Sequence, residues 1–519
     1  MRHPFGPTIS KGEHVAGGDP VAEPREQWGT RLGFIMAAVG SAIGLGNIWR
    51  YPYVVYDNGG GAFLIPYFIA IATAAVPVLI LEYSLGHKYR HAAPFAFRRV
   101  RRKAEWLGWF QIGISLIIMT YYVVILGWVL SYFYYSFGSR WGDDPNAFFF
   151  GSYLGTTDSF WSVGGIQWKV LLSVAVAWAL TYLILRRGVR RGIELAAKIL
   201  IPTLVVMILA IVIRGLTLPG AASGLNVLLT PDFGALLDAQ VWVAAYGQVF
   251  FSFSIGFAVM IVYASYLPRR SDLSNSAVIV GMSNSGFEFL AALGVFSVLG
   301  FLATQQGTGV TEVVESGVGL AFVAFPQIIN EMPGLNSLFG ALFFGALLFA
   351  GLTSAVSIME CAVAGVREKF RLSRTTAINI TCGITALLSM IYVTRGGLYY
   401  LDVVDRFVNN FGLILAGLAE VILIAWIARQ LGPLQAHINR DSYLRVGWWW
   451  TISLMVITPA LLSVMAAINI YQEITNRYED YPLSGLLVMG WGVVGLTLVL
   501  AFVLQRLRRH EELPETIGG

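Results

Sequence analysis

Long apolar stretches separated by short polar segments run along the chain from about residue 31 to residue 505. A helix needs roughly 20 mostly apolar residues to cross a bilayer, and each stretch comes close to or exceeds that length. The pattern therefore predicts an all-α membrane protein with twelve transmembrane helices, which we number span 1 to span 12. The spans are predicted at residues 31–55, 62–86, 107–137, 168–186, 194–215, 240–267, 275–303, 337–365, 375–394, 400–428, 447–470 and 484–505.

The composition indicates the same class of protein. Of the 519 residues, 56% are hydrophobic and 13% are charged, whereas an average soluble domain is about 25% charged. A water-soluble fold needs a polar shell that this chain cannot supply, and a disordered chain would contain few apolar or aromatic residues. The two cysteines, Cys361 and Cys382, lie in apolar stretches, so no disulfide framework is expected.

The basic residues predict the orientation of the spans. Most of the 35 lysines and arginines follow even-numbered spans or lie near the chain ends, so they fall on one side of the membrane. Because cytoplasmic loops carry such an excess of Lys and Arg, we predict that both termini are cytoplasmic. The first thirty residues are polar and lack the apolar region that is typical of a cleaved signal peptide.

Spans 1 and 6 contain residues that favour a broken helix in mid-membrane. Span 1 has Gly40, Gly44 and Gly46 within seven residues, and span 6 has Gly256 close to Ser254. Glycine also serves close packing of membrane helices, and for either span alone that interpretation is equally good. The two spans together favour a different one, because unwound backbone at membrane depth persists only where it lines a cavity enclosed by protein.

Each of these two spans is the first of a group of five, 1–5 and 6–10. Broken helices at matching places in two halves predict a transporter built as a 5+5 inverted repeat, with its site at the midplane. Spans 11 and 12 are then two extra C-terminal helices. The predicted segments are a cytoplasmic N-terminal segment at 1–30, repeats at 31–215 and 240–430, spans 11 and 12 at 446–507, and a cytoplasmic tail at 508–519.

Eight short motifs follow one another along the chain. They are GSAIGLGNIWRYP (40–52), NGGGAFLIPY (58–67), the pair Tyr121 and Tyr122, GLNVLLTPDF (224–233), GQVFFSFSIGF (247–257), YASY (263–266), FAGLTSAVSIME (349–360) and KFRLSR (369–374). From about Arg25 to about residue 430, the chain thereby resembles the neurotransmitter:sodium symporter family, especially its bacterial amino-acid members. The resemblance implies a transporter in the bacterial inner membrane that couples sodium entry to uptake of a small amine or amino acid.

The resemblance also implies a substrate site at the two breaks. Leu45, Gly46 and Tyr122 are expected to bind the substrate carboxylate. Monoamine transporters resemble the first motif but have an aspartate where this chain has Gly44, so we expect an amino acid rather than an amine. A modest apolar pocket favours a neutral side chain of alanine-to-leucine size. The implied substrate-binding residues are Ala42, Gly44, Leu45, Gly46, Ile118, Tyr122, Phe251, Ser252, Ser254, Phe257, Ser354 and Ile358.

Two sodium ions and no chloride are implied in the same way. The first ion is expected to share the substrate carboxylate, so that sodium and substrate raise each other's affinity. The second is expected to tie span 1 to span 8, although hydroxyl groups inside a helix more commonly bond to their own backbone. The implied ligands are Ala42, Asn47, Ser252 and Asn284 for the first ion, and Gly40, Ile43, Ala350, Thr353 and Ser354 for the second.

Four glutamates lie inside predicted spans, where a charged side chain is costly and is a functional candidate. For Glu360 and Glu420 we favour a role as a helix-packing or interfacial carboxylate. By the resemblance, Glu82 and Glu288 are candidate charge-compensating residues. Similar animal transporters have a small neutral residue at the position of Glu288 and use chloride there, so the carboxylate implies transport without chloride.

The resemblance further implies two gates. Arg50 is expected to pair with Asp405 above Tyr122 and Phe257, and Asp402 is an alternative partner one turn away. The inner latch is expected to consist of Arg25, Trp28, Tyr266 and Glu368, the last standing where the family usually has aspartate.

Three other functions remain open at this point. Proton coupling on the same fold would use Glu288 or Glu82 as the carrier, and an amino-acid sensor or channel would share the fold without accumulating substrate. A membrane enzyme is least favoured, because the sequence shows no arrangement of nucleophile and base and no metal cluster. The expected partners are the substrate, sodium and the lipid bilayer, with no nucleic acid and no obligate protein partner.

Overall fold

The structure, a computed structural model, describes residues 26–315 and 317–507. Within these ranges the chain is helical and contains no β-strand, so the predicted all-α class is confirmed. Several long helices begin where a side chain accepts an otherwise unpaired backbone N–H. Thr30 accepts from Gly33 at the start of span 1, and Asp272 accepts from Asn275 at the start of span 7.

Ten continuous helices in the described ranges are long and apolar enough to cross a bilayer, and they coincide with predicted spans 2 to 5 and 7 to 12. They are Gly61–Tyr89, Arg102–Gly138, Trp168–Arg186, Val189–Leu216, Leu273–Gln306, Asn336–Phe370, Arg374–Val393, Gly397–Ile427, Trp448–Asp480 and Leu483–Arg506. A bent pair at predicted span 1, Arg31–Ala42 and Leu45–Asp57, is an eleventh candidate, with an angle of 55° between its halves.

Predicted span 6 is divided more widely. Its halves, Ala239–Ser252 and Val259–Ser265, are separated by residues 253–258, which form turns and bends. Neither half alone is long enough to cross a bilayer. The structure therefore supports ten or eleven spans, and the count of twelve stays a prediction.

Short helices connect the spans on both faces of the molecule. They are Ala93–Val100, Ala221–Leu229, Val310–Val313, Phe325–Glu331 and Leu431–Asp441, together with a π-helix at Ala147–Leu154.

The spans differ strongly in burial. In span 8, 89% of the most apolar window is buried inside the protein, compared with 28% in span 12. Spans 7 and 8 each contact both halves of span 1, which places the broken helix in the interior. Large apolar side chains such as Leu172 and Leu387 point outward from the peripheral spans. So much exposed apolar surface indicates that the surrounding medium is hydrocarbon rather than water.

Candidate functional site

The helix of span 1 is interrupted at Ile43 and Gly44. Both residues have extended backbone angles, with ψ of 101° at Ile43 and −168° at Gly44. The Gly44 N–H donates to the side-chain oxygen of Asn47 at 2.8 Å, which caps the second half of the span. A Cβ atom at Gly44 would lie 3.2 Å from the Ser354 hydroxyl and from the Tyr122 hydroxyl. The break therefore opens onto a narrow space that two hydroxyl groups line.

The break of span 6 contains an unusual run of left-handed backbone. Ser254, Gly256 and Ala258 have φ of 53°, 78° and 62°. Such angles cost of order 1–3 kcal/mol for a residue other than glycine, so the surrounding structure must hold them. The Ser254 hydroxyl donates to the Ser41 carbonyl at 3.0 Å, which connects the two breaks directly. Spans 1 and 6, for which the glycine and serine residues predicted a broken helix, are thus both interrupted, and the two interruptions lie next to each other.

Asn47, Ser252 and Asn284, one each from spans 1, 6 and 7, form a polar triad beside the breaks. The Asn47 amide donates to the Ser252 hydroxyl at 3.2 Å and to the Asn284 amide oxygen at 2.9 Å. The Asn284 amide donates to the Ser252 hydroxyl at 2.6 Å. All three side chains are buried. Their oxygen atoms are the kind of ligand that suits a small hard cation.

Ser354 of span 8 faces the broken end of span 1. Its hydroxyl oxygen lies 3.2 to 3.3 Å from three carbonyl oxygens, those of Gly40, Ser41 and Ile43. A hydroxyl group has one proton, so it can donate fully to only one of them. The hydroxyl of Thr353 donates instead to Ala350 in its own helix at 2.9 Å. The structure thus brings the five residues predicted for the second sodium site into one region between spans 1 and 8.

Glu288 lies one helical turn after Asn284 in span 7 and is fully buried. The Tyr67 hydroxyl and the Gln248 amide donate to its two carboxylate oxygens, the latter at 2.8 Å. The Ser252 hydroxyl also interacts with this carboxylate. A buried carboxyl group therefore lies next to the polar triad and is held by neutral side chains from two other spans, 2 and 6.

Glu82 does not lie beside the polar triad but contacts the break of span 6. It is buried in span 2, and its carboxylate accepts the Gly256 N–H at 2.8 Å. This bond stabilises the unwound backbone of span 6. Glu420 accepts from the Gln111 amide at 2.6 Å, as a carboxylate between two packed helices would.

Of the predicted substrate residues, Tyr122 and Ser354 line the space beside Gly44. The Leu45 N–H donates to the Tyr122 hydroxyl at 3.4 Å, and the Ser354 hydroxyl also interacts with that group. A Cβ at Gly46 would lie 2.6 Å from the Phe251 ring, so the ring packs directly on the backbone of span 1. The apolar members Ile118, Phe257 and Ile358 are all buried.

In the second half of span 1, Arg50 approaches Asp405 of span 10, but the two form no direct ion pair in the described part of the chain. The guanidinium of Arg50 lies over the Phe251 ring, 4.8 Å from its centre. Asp405 accepts from Asn409 at 2.8 Å, and it is the carboxylate that acts most strongly on Arg50. Phe251 is therefore a ring that Arg50 contacts, and the Arg50–Asp405 pairing above Tyr122 and Phe257 stays a prediction.

Asp402, the alternative gate partner, is already engaged. It accepts hydrogen bonds from the Tyr478 and Tyr481 hydroxyls, each at 3.0 Å. These bonds tie span 10 to the end of span 11 and the residues just after it, and they engage both oxygens of the Asp402 carboxylate.

On the opposite face, Trp28 closes against the end of span 6. Its indole donates to the Tyr263 carbonyl at 2.8 Å, and its backbone N–H donates to the Tyr266 carbonyl at 3.2 Å. Arg25, the other residue predicted for this latch, lies outside the described residues.

Glu360 was not predicted at this latch, yet the structure places it there. The Tyr266 hydroxyl donates to its carboxylate at 2.9 Å, and Arg374 pairs with it at 2.7 Å. Glu368 accepts from the Ala92 N–H at 3.1 Å. The contact of Glu360 with Tyr266 and Arg374 could not be predicted, because the sequence does not show that the start of span 9 folds back beside span 8.

A cavity of ≈ 170 Å³ lies between spans 1, 6, 10 and 11 on the Arg50 side of the breaks. Arg50, Phe251 and Asn409 contribute to its wall, so it adjoins the second half of span 1.

The chain was compared with known proteins. The profile of the "Sodium:neurotransmitter symporter family" matches residues 25–145 and 140–511. An uncharacterized sodium-dependent transporter of Methanocaldococcus jannaschii is 41% identical over 93% of this chain and 98% of its own length. A sodium- and chloride-dependent taurine transporter of Rattus norvegicus is 30% identical, over 95% and 86% of the two chains. A creatine transporter of Torpedo marmorata is 31% identical, over 93% and 85%.

Proposed function

The chain belongs to the sodium:neurotransmitter symporter family, and from this we propose that it carries a neutral amino acid into the cell together with sodium. Membership makes the protein a sodium-dependent transporter of a small molecule in a membrane, and not an enzyme. The observation that carries the proposal of a neutral amino acid as substrate is the break of span 1. It offers backbone donors suited to an anion and oxygen atoms suited to a cation within a few residues.

The substrate carboxylate is proposed to lie at the start of the second half of span 1. The N–H groups at a helix start attract negative charge, and the Leu45 N–H and the Tyr122 hydroxyl lie there. Gly44 adds neither charge nor bulk. Taurine and creatine, named as substrates of two relatives, also combine an anionic with a cationic group. The substrate is therefore proposed to be zwitterionic, and the buried Ile118, Phe257 and Ile358 favour an aliphatic side chain.

The polar triad is proposed to bind one sodium ion together with the Ala42 carbonyl and the substrate carboxylate. The Asn284 amide oxygen now accepts from Asn47, and the Asn47 amide oxygen now accepts the Gly44 N–H; both oxygens would turn to the ion. A carboxylate shared by the ion and the substrate gives a direct cause for coupling, because each ligand then raises the other's affinity by the same factor.

The second sodium ion is proposed to bind where the carbonyls of span 1 converge on Ser354. One proton cannot satisfy three carbonyl oxygens, whereas a cation can interact with all of them at once. The Ala350 carbonyl and the Thr353 hydroxyl would complete the shell from span 8. Binding there would hold the first half of span 1 against span 8.

Transport is proposed to proceed by alternating access without chloride. Spans 1, 2, 6 and 7 would rock against spans 3, 4, 8 and 9 within a twelve-span, 5+5 inverted-repeat fold with cytoplasmic termini in the plasma membrane. The intact contacts of Trp28 and of Glu360 with Arg374 fit a closed inner face, and the cavity beside Arg50 fits an outer approach. Glu288 would supply the negative charge that chloride supplies in relatives named chloride-dependent.

Uptake into proteoliposomes tests the proposal. We expect labelled leucine or alanine to accumulate under an inward sodium gradient and to stop accumulating when choline replaces sodium. Competition by the twenty common amino acids, with taurine and creatine alongside, would define the substrate class. Uptake that persists in choline, or that a pH gradient alone drives, would favour proton coupling through Glu288 or Glu82. Binding without accumulation would favour a sensor.

Asn47→Ala is expected to weaken sodium binding, because it removes the amide that joins all members of the triad and also the cap on Gly44. A hydrogen bond or ligand to a charged group contributes about 1.5–3 kcal/mol, so the sodium concentration for half-maximal uptake should rise about 10- to 100-fold. Asn379→Ala is a matched control, since Asn379 is an exposed amide on span 9 that accepts from Tyr182. An unchanged sodium dependence in Asn47→Ala would remove Asn47 from the site.

A further inference from the structure

Residues 253–258 leave backbone groups of span 6 without helical partners. The helix that follows begins with the bond from the Val262 N–H to the Ala258 carbonyl, so the Phe257 carbonyl precedes the helical ladder. An unpaired buried carbonyl is costly and needs another donor. Phe257 is itself buried, and it stands between Gly256 and Ala258, which both have positive φ. Its position therefore depends on groups outside span 6.

Two side chains supply these outside contacts, one on each side of Phe257. The Glu82 carboxylate accepts the Gly256 N–H at 2.8 Å. The hydroxyl of Ser115, which is fully buried in span 3, donates to the Phe257 carbonyl at 2.8 Å. The backbone of Phe257 is thus held from span 2 before the residue and from span 3 after it.

The two contacts differ in what they connect. Glu82 and Gly256 both belong to the group of spans proposed to rock. Ser115 belongs to the opposing group, one turn before Ile118 and two turns before Tyr122 on the same face of span 3. The bond from Ser115 to Phe257 therefore crosses the boundary along which the two groups would move, whereas the bond from Glu82 does not.

We propose that Ser115 is a positioning residue of transport, which fixes the wall of the substrate site at Phe257 when the site closes around its substrate. The proposal rests on the proposed function. A bond across the moving boundary can be retained in only part of the cycle. It should stabilise the conformation in which Phe257 lies against Ile118 and Tyr122, and so raise the apparent affinity for substrate.

Ser115→Ala tests this in proteoliposomes with labelled leucine and labelled alanine as probes. We expect the KM for substrate to rise about tenfold, the equivalent of one buried hydrogen bond at about 1.4 kcal/mol per factor of ten. The maximal rate per transporter should stay within about twofold, and binding of sodium without substrate should be unchanged. Ser115→Thr keeps the hydroxyl and should restore the wild-type KM.

Ser297→Ala is the matched control, because Ser297 is equally buried but donates within its own helix to Gly294 at 2.8 Å. An unchanged KM in Ser115→Ala would overturn the proposal. The proposal would also be overturned if Ser115→Ala and Ser115→Thr raised the KM and lowered the maximal rate to the same extent. Such a result would indicate that Ser115 has a packing role. If the wild-type protein takes up neither probe with sodium, the failure lies with the proposed substrate instead.

Discussion

Replacement of Gly44 by aspartate is expected to abolish amino-acid uptake. The new carboxylate would enter the narrow space between the Ser354 and Tyr122 hydroxyls, where a Cβ atom alone already lies 3.2 Å from both oxygens. It would occupy the place proposed for the substrate carboxylate and repel it. Two like charges about 4 Å apart at an effective dielectric constant near 20 interact by about 4 kcal/mol, equivalent to roughly a thousandfold loss of affinity.

The measurement is sodium-driven uptake of labelled leucine by Gly44→Asp in proteoliposomes, with the amount of inserted protein matched to wild type. Gly44→Ala serves as the control for bulk without charge, and it should retain measurable uptake with a raised KM. A simple amine such as butylamine should compete better in Gly44→Asp than in wild type, because the aspartate can pair with its ammonium group. Normal leucine uptake in Gly44→Asp would show that the carboxylate of the substrate binds elsewhere.

Replacement of Glu288 by serine is expected to make transport depend on chloride. The substitution removes a buried carboxylate next to the triad that is proposed to bind sodium, and it leaves the Tyr67 hydroxyl and the Gln248 amide facing a vacated space. Donors that converge on such a space form a site for an anion. Chloride would be needed there, because burying a sodium ion in a low-dielectric interior without a compensating negative charge costs free energy. Uptake should therefore require chloride, whereas wild-type uptake should be the same in chloride and in gluconate.

Glu288→Gln provides the matched control for this substitution. Glutamine removes the charge but fills nearly the same volume, so it leaves little room for chloride, and uptake should be low in both anions. If Glu288→Ser remained fully active in gluconate, the carboxylate would not have the charge-compensating role proposed for it.

The local features of the site could be predicted from the sequence because each has a local cause. Gly40, Gly44 and Gly46 mark a helix that can be interrupted, and the interruption is found at Ile43 and Gly44. The same holds for Ser254 and Gly256 in span 6. Long apolar stretches likewise determine the helices, since a backbone in hydrocarbon must satisfy its hydrogen bonds within the segment.

The contacts between distant spans could not be derived from the residues alone. The resemblance grouped Asn47, Ser252 and Asn284, but nothing in their spacing brings them together. Arg374 belongs to one of the quoted motifs, yet its pairing with Glu360 depends on how span 9 returns beside span 8. The choice between Asp402 and Asp405 was open for the same reason, because the tyrosines that engage Asp402 come from the end of span 11 and the residues just after it.

The buried position of Glu288 also has an electrical consequence. A carboxylate fixed to span 7 does not travel with the substrate, so the sodium ions would carry net positive charge into the cell in every cycle. Each such charge responds to the membrane potential with about 2.3 kcal/mol per 100 mV. A transporter that moved chloride in place of this carboxylate would carry one positive charge fewer. By keeping its counter-charge in the protein, this chain would draw more driving force from the same voltage.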